Sequence, residues 1–161
     1  MRYDLYEIDE IIGTVLRRLH GRIQSHHVVL ELPKALPSVS VDGKLIEQVF
    51  ENIIDNATKY TPRGSDIRIS ASANDKQIEI IVSDNGPGFE DVAPETLFEK
   101  FERGKKETAI GGVGLGLAIC RAIVNLHRGR IWAEECQPHG AAIHVVLPLS
   151  AGDSKLVEED D

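Results

Sequence analysis

Two kinds of hydrophobic spacing alternate along the chain and predict a domain of mixed helices and strands. Apolar residues three or four apart predict helices over about 7–24, 42–60 and 113–127. Asp42 is the expected N-cap of the second helix, and Pro62 prevents its continuation. Alternating apolar residues predict strands at about 28–32, 38–41, 66–73, 77–84, 130–136 and 141–148. This order favours one sheet with helices on a single face.

The segment 85–112 interrupts the pattern. It holds five glycines and two prolines, and a short helix is predicted only around 95–101. A connection of this length inside a compact domain is typical either of a functional lid or of a disordered stretch. By contrast, Asn74-Asp75 is predicted to form a tight hairpin turn between the two central strands.

Composition limits the classes of function. The chain has 161 residues, 42% of them apolar, so residues 1–150 are expected to form one domain around one core. Its net charge of −8 disfavours nucleic acid as a partner, and about half of that charge lies in 151–161, which is expected to be a disordered acidic tail.

Cys120 and Cys136 fit no zinc spacing and are expected to be reduced thiols. The apolar runs are too short for a membrane span, and no charged-then-apolar segment suggests a signal peptide, so a cytoplasmic domain is expected.

Asparagines mark the predicted second helix. Asn52 and Asn56 are four residues apart and share one helix face, and Lys59 follows three residues later. Two amide oxygens on one stripe suit Mg²⁺ when phosphates supply its other ligands, and the lysine ammonium would stand near the same phosphates. Taken alone, solvent-facing asparagines are the more common alternative. Residues 52–60 are called the asparagine stretch below.

Two glycine-bearing segments are the other candidates. In the glycine turn (84–88), Asp84 ends an apolar strand, and Gly86 and Gly88 allow a tight bend beside a ligand, although an ordinary turn is the alternative. The glycine-rich loop (111–117) opens a helix, where exposed amides and the helix dipole suit a polyphosphate. Leu117 stands where the dinucleotide fingerprint needs glycine, and neither a G-x-x-x-x-G-K-[ST] loop nor an H-R-D loop occurs. These absences exclude Rossmann, P-loop and protein Ser/Thr/Tyr kinase sites.

With Phe98-Glu99-Lys100-Phe101, these segments follow the order of the N, G1, F and G2 boxes, and the chain resembles the ATP-binding domain of sensor histidine kinases over about 7–149. That domain belongs to a superfamily shared with gyrase, the Hsp90 chaperones and MutL. The runs at 98–107 and 112–124 are most similar to the KdpD type of potassium-responsive sensor kinase. The resemblance implies a Bergerat-type fold, a two-layer α/β sandwich (α+β) in which a mixed, mostly antiparallel sheet packs against three helices.

The resemblance also implies a site for ATP and Mg²⁺. Asn56 is the expected main Mg²⁺ ligand with Asn52 beside it, Asp84 the ligand of the adenine amine, and Asn52, Lys59 and Arg103 the catalytic residues. A basic lid at about 89–111 would close over the triphosphate. The residues implied to bind ATP are Asn52, Asn56, Lys59, Tyr60, Asp84, Gly86, Gly88, Phe101, Lys106, Gly112, Val113, Gly114, Leu115, Gly116 and Leu117.

The residue at position 52 bears on whether the domain transfers phosphate or hydrolyses ATP. In the hydrolytic members of this superfamily, that position is a glutamate that activates water, whereas the amide of Asn52 cannot take a proton and Glu51 lies about 100° away around the helix. The resemblance therefore implies two-component signalling, in which a histidine takes the γ-phosphoryl group and passes it to a response regulator.

No histidine of this chain is followed by an acidic residue, so the acceptor is expected on an upstream dimerisation segment. Without that segment, the chain is expected to be monomeric and inactive in phosphoryl transfer. The alternative is an ATP-hydrolysing or ATP-gated conformational module of the same superfamily.

Overall fold

The structure, a computed structural model, describes residues 1–89, 94, 97–98 and 113–149, with only the backbone described at 113–115. The elements in chain order are β1 (Tyr3–Tyr6), α1 (Ile8–Arg18), α2 (His20–Ile23), β2 (His27–Glu31), β3 (Val39–Asp42), α3 (Gly43–Lys59), β4 (Asp66–Ala73), β5 (Gln77–Asp84), α4 (Val113–Leu126), β6 (Arg130–Glu135) and β7 (Ala141–Pro148). The predicted acidic tail and most of the predicted helix at 95–101 lie outside the described residues.

The main sheet has five strands in the order β2-β4-β5-β7-β6. β2 is parallel to β4, while the other neighbouring strands are antiparallel. At the β4–β5 hairpin, the backbone N–H of Asn74 donates to the carbonyl of Gln77. The predicted hairpin and the predicted mixed, mostly antiparallel sheet are both confirmed.

β1 and β3 form a separate two-stranded sheet, and here the prediction of a single sheet is wrong. β3 points Val39 and Val41 into the core, at 0% and 1% exposure, and continues directly into α3. Its partner β1 is a short and largely exposed strand, so no apolar alternation marks it in the sequence. The pairing joins segments that are distant in the chain, which a local pattern does not reveal.

Helices cover one face of the main sheet. α3 lies between α1 and α4, and its Phe50 is fully buried. The sheet residues beneath the helices alternate with polar ones along each central strand. The fully buried isoleucines of this interface on β4 and β5 are Ile67, Ile69, Ile78 and Ile80. Together these layers form the two-layer α/β sandwich that the sequence predicts.

The helix predicted over about 7–24 is divided at Leu19, so that prediction is wrong at its C-terminal end. Leu19 has φ −95° and ψ 11°, outside the helical range, and its side chain is 2% exposed. Leu19 comes four residues after the buried Val15, so its burial continues the apolar stripe of α1 and does not by itself end the helix. The local reason for the break is Gly21, two residues further on, which has a low helix propensity. Arg22 of α2 then forms an ion pair with Asp55, with 3.0 Å between Nη1 and Oδ2.

Asp42 joins three parts of the fold. Its Oδ1 accepts a hydrogen bond from the N–H of Leu45 and caps α3 as predicted, while its Oδ2 accepts from the N–H of Arg2. Its own N–H donates to Nε2 of His127, which is 4% exposed and whose Nδ1 donates to the carbonyl of Ile123. The start of α3, the N-terminal strand and the end of α4 are therefore fixed to one another.

We predict that Asp42→Ala destabilises the domain by about 1–2 kcal/mol at neutral pH because the N-cap and the bond to Arg2 are lost. The pKa of Asp42 is lowered from 3.8, chiefly by the hydrogen bond from Arg2, so its contribution is complete above that pH and is lost as the pH falls through the lower folded-state pKa. Urea unfolding of both proteins between pH 7 and pH 3 measures this difference. Asp4→Ala, which removes an exposed carboxylate of β1, is the control, and an equal loss in the two variants would contradict the role of Asp42.

Candidate nucleotide-binding site

The seam between α3 and α4 brings two of the predicted motifs together. Nδ2 of Asn52, in the asparagine stretch, donates to the carbonyl of Gly116, in the glycine-rich loop, at 3.3 Å. Further along the seam, Sγ of Cys120 donates to the carbonyl of Val49 at 3.5 Å. Burial raises the pKa of the Cys120 thiol to about 12, so the group stays protonated and serves as a donor. The asparagine stretch and the start of α4 therefore share one wall, as the predicted site requires.

Ion pairs link α3 to α1 and α2. Oε1 of Glu51 accepts from Nη1 of Arg18 at 3.0 Å, so Glu51 faces α1 and not the seam. Nζ of Lys59 lies 3.3 Å from Oδ2 of Asp55, the same oxygen that pairs with Arg22. The geometry confirms that Glu51 points away from Asn52.

The donor set of α3 fits a magnesium ion bound through phosphates. The bond from Nδ2 of Asn52 to Gly116 leaves Oδ1 as an acceptor, and Asn56 carries a second amide oxygen one helical turn later. Next to Asn56, Oδ1 of Asp55 is buried and has no hydrogen-bond partner within the described part of the chain. Mg²⁺ takes oxygen ligands and keeps phosphates and waters in its shell, so a few amide oxygens are a sufficient protein contribution.

Asp84 stands at the end of β5 with one carboxylate oxygen fixed. Oδ1 accepts from the N–H of Gly86 at 2.9 Å and from the N–H of Ala141 at 3.3 Å, and neither bond uses Oδ2. Burial raises the pKa of this carboxyl, and the two backbone hydrogen bonds partly oppose that rise because they stabilise the ionised form. The arrangement holds the carboxylate in one orientation at a strand end, with a second oxygen left for a hydrogen-bond donor.

The glycine turn is enclosed by two segments that the sequence analysis did not assign to the site. On one side, a Cβ at Gly86 would lie 2.6 Å from Cγ2 of Thr61, which follows the asparagine stretch. On the other side, Nδ1 of His139 donates to the carbonyl of Gly86 at 3.0 Å. Gly140 packs so closely that a Cβ there would lie 2.0 Å from the carbonyl oxygen of Asp84. The sequence gives only a weak signal of this contact, which is that Gly140 directly precedes a predicted strand. The contact itself depends on the pairing of β5 with β7, which are distant along the chain.

The remaining predicted residues are placed as follows. Tyr60 ends α3 with its hydroxyl buried, and Gly88 adopts φ +87° at the end of the glycine turn. The side chain of Leu117 is 3% exposed and belongs to the core, so only its backbone is available to the glycine-rich loop. Val113, Gly114 and Leu115 begin α4, whereas Phe101, Arg103, Lys106 and Gly112 lie outside the described residues.

Comparison with known proteins identifies the class of this site. The model of the family described as "Histidine kinase-, DNA gyrase B-, and HSP90-like ATPase" matches residues 41–151. The chain therefore belongs to this family, which confirms the resemblance inferred from the four boxes. The matched range contains the asparagine stretch, the glycine turn and the glycine-rich loop.

Individual relatives are sensor kinases. The chain is 43% identical over 141 residues to the sensor protein KdpD of Escherichia coli (strain K12), a match that covers 88% of this chain and 16% of the relative. It is 38% identical over 123 residues to the adaptive-response sensory kinase SasA of Synechocystis sp. (strain ATCC 27184 / PCC 6803 / Kazusa), with coverage of 76% and 32%. The chain thus spans less than a third of the length of either relative.

A solved structure matches the described fold over nearly its whole length. The catalytic domain of histidine kinase ThkA superposes with a TM-score of 0.79 and 26% identity, covering 92% of this chain and 99% of that one. A structure of ThkA in complex with the response regulator protein TrrA matches with a TM-score of 0.72 and 25% identity, covering 92% of this chain and 42% of that one. Among the described residues, no helix has the length and apolar character needed to cross a membrane.

We predict that Gly140→Ala destabilises the domain more than Gly64→Ala does. Both glycines have positive φ, +124° and +88°, so both substitutions introduce backbone strain of about 1–3 kcal/mol. At Gly64 a Cβ meets nothing within 4 Å, whereas at Gly140 it overlaps the carbonyl of Asp84, which brings the expected total to about 2–6 kcal/mol. Urea unfolding of the two variants measures the difference, and equal losses would show that the contact with Asp84 has no energetic importance.

Proposed function

We propose that this domain binds Mg-ATP between α3, the glycine turn and the start of α4, and transfers the γ-phosphoryl group to a histidine. The observation that carries the proposal is the hydrogen bond from Asn52 to Gly116, which joins the asparagine stretch to the glycine-rich loop. Oδ2 of Asp84 is the proposed acceptor for the exocyclic amine of adenine, because Oδ1 is already held by two backbone N–H groups. Membership of the ATPase family supports the choice of nucleotide.

Mg²⁺ supplies neutralisation of the negative charge that develops on the β- and γ-phosphates. Asn56 is its proposed main protein ligand, with Oδ1 of Asn52 beside it. Lys59 is proposed to leave Asp55 and approach the phosphates. Its side chain is exposed, and an ion pair between residues i and i+4 of one helix is weak, so the ammonium can exchange one anionic partner for another. The outer part of the site, with Tyr60, Gly88, Phe101, Arg103, Lys106 and the glycine-rich loop, is proposed from the resemblance to the family.

Transfer is favoured over hydrolysis because, within the part of the chain that the structure describes, neither residue 51 nor residue 52 offers a general base at the seam. A nitrogen of the acceptor histidine attacks the γ-phosphorus, the bond to the bridging oxygen of ADP breaks, and the proton of that histidine passes to solvent. Asn52 has a neutral amide engaged with Gly116, and Glu51 is paired with Arg18. Neither residue is positioned to take a proton from an attacking water.

The partners follow from the chemistry of the acceptor. We propose that the histidine lies on a dimerisation segment of a longer parent protein and that the phosphoryl group continues to a response regulator aspartate, on the cytoplasmic side of the membrane. The complex of ThkA with TrrA supports the second partner. A KdpD-type response to potassium or osmotic stress is the finer proposal, supported by 43% identity to KdpD against 38% to SasA. Comparing transfer to histidine segments of the KdpD and SasA types tests this preference.

We predict that the isolated chain binds Mg-ATP and releases almost no free phosphate. Adding a histidine-bearing dimerisation segment of the KdpD type should then transfer the label from γ-labelled ATP to that segment. Release of phosphate and protein-bound label are followed in the same sample. Steady release of phosphate without the segment would instead favour the alternative, an ATP-hydrolysing or ATP-gated conformational module.

We predict that Asn56→Ala weakens Mg-dependent ATP binding at least about tenfold, because the main protein ligand of the metal is removed. Calorimetric titration with ATP, with and without Mg²⁺, separates the metal-dependent part of the affinity from the rest. Asn125→Ala, an exposed asparagine near the far end of α4, is the matched control. Undiminished binding by Asn56→Ala would show that the metal is held elsewhere.

A further inference from the structure

A chain of hydrogen bonds links the loop before β2 to the end of α3. Oγ of Ser25 lies 2.9 Å from Nδ1 of His26, and Nε2 of His26 lies 2.8 Å from Oγ1 of Thr61. Thr61 in turn donates to the carbonyl of Ala57 at 2.6 Å. The backbone supports the same junction, since the N–H of Gly64 donates to the carbonyl of Ser25. His26 is therefore held in a fixed position beside the asparagine stretch.

The carbonyl of Ala57 fixes the direction of the hydrogen bonds in this chain, because it can only accept. A carbonyl oxygen has no proton, so the hydroxyl of Thr61 donates to Ala57 and its oxygen accepts from Nε2–H of His26. Nδ1 of a neutral ring then accepts from the hydroxyl of Ser25. His26 thus fixes the rotamer of Thr61 through a donor at Nε2, and it keeps this donor in both the neutral and the charged ring.

The fixed side chain of Thr61 in turn packs against Gly86 in the glycine turn. Its Cγ2 and Cβ lie where a side chain at Gly86 would begin, at 2.6 Å and 3.2 Å from the Cβ position, so the backbone of Gly86 rests against the threonine. The N–H of Gly86 holds Oδ1 of Asp84. A contact path therefore runs from His26 through Thr61 and Gly86 to the carboxylate.

The surroundings of Asp84 act on its charge in opposite directions. Burial raises the pKa of Asp84, whereas the N–H groups of Gly86 and Ala141 and a positive charge on His26 lower it. The contact path through Thr61 does not depend on that charge, because the Nε2 donor is present in both forms of the ring. The positioning role of His26 therefore rests on this path.

We propose that His26 is a positioning residue for recognition of the nucleotide base, acting through Thr61 on the turn that carries Asp84. The inference rests on the proposed function, because it assumes that Asp84 accepts a hydrogen bond from adenine. His26 would not touch the phosphates or the acceptor histidine. Its influence should therefore appear in the preference for adenine over guanine and not in the affinity for the triphosphate group.

The test measures the affinities of the full chain for Mg-ATP, Mg-GTP and Mg-tripolyphosphate by calorimetry. His26→Leu removes the donor to Thr61 and should weaken ATP binding about five- to tenfold, reduce the preference over GTP and leave tripolyphosphate unchanged. His26→Gln keeps an N–H donor of similar reach and should restore the preference. His20→Leu, on the exposed side of α2, is the matched control.

A double-mutant cycle then separates positioning from a general loss of stability. Thr61→Val keeps the methyl against Gly86 but removes the hydroxyl, so the double variant with His26→Leu should lose no more base preference than the more affected single variant. Additive losses, equal loss in His26→Gln and His26→Leu, or a parallel fall in tripolyphosphate affinity would each overturn the proposal. If His26→Leu does not fold, Thr61→Val remains decisive, because it keeps the methyl against Gly86 and removes the hydroxyl that accepts from Nε2 of His26, so it should lower the preference for ATP over GTP by itself. An unchanged preference in Thr61→Val would overturn the proposal.

Asp84→Asn distinguishes failure of this inference from failure of the proposed function. Its amide can still accept one hydrogen bond, but it also presents a donor toward the adenine amine, so the preference for ATP should fall. An unchanged preference in Asp84→Asn would overturn the role of Asp84 itself. A lost preference in Asp84→Asn together with an unchanged one in His26→Leu would overturn the role of His26 alone.

Discussion

The antiparallel packing of α3 against α4 is the constraint on which the rest of the structure depends. At one end of the seam, Asp42 bonds to His127, and at the other end, Asn52 bonds to Gly116. Because both bonds involve a backbone group, sliding of one helix along the other would break them and leave part-buried polar atoms without these partners. The asparagine stretch and the start of α4 are therefore held in register by contacts at both ends of the seam.

The two halves of the proposed site are built from different layers. The metal and phosphate half is carried by the helices α3 and α4, whereas the base half is carried by the ends of β5 and β7, where Asp84 pairs with Ala141. Thr61, which follows α3, and His139, which precedes β7, both contact Gly86 and so connect the two layers. A nucleotide bound as proposed would span the junction, with its base at the sheet and its phosphates at the helices.

Much of the fold could be predicted because local signals agreed with the final packing. α3 has a capping aspartate, an apolar stripe and a terminating proline, and β4 and β5 have regular alternation with an Asn-Asp turn. The two failures have different causes. β1 forms through its pairing with β3, a contact between distant segments, whereas α1 ends at a local break at Leu19, close to Gly21.

The sequence by itself determined the family of the domain. Four motifs in order indicated the ATPase family, and the matched family model confirms this. The motifs could be recognised because residue type and spacing are local properties of the sequence. The tertiary structure decided how the motifs meet. Gly140 and Thr61 enclose the glycine turn through close contacts, and His26 reaches it through Thr61, although these segments are far apart along the chain. Such contacts depend on strand pairing and helix packing, and no local pattern of residues specifies them.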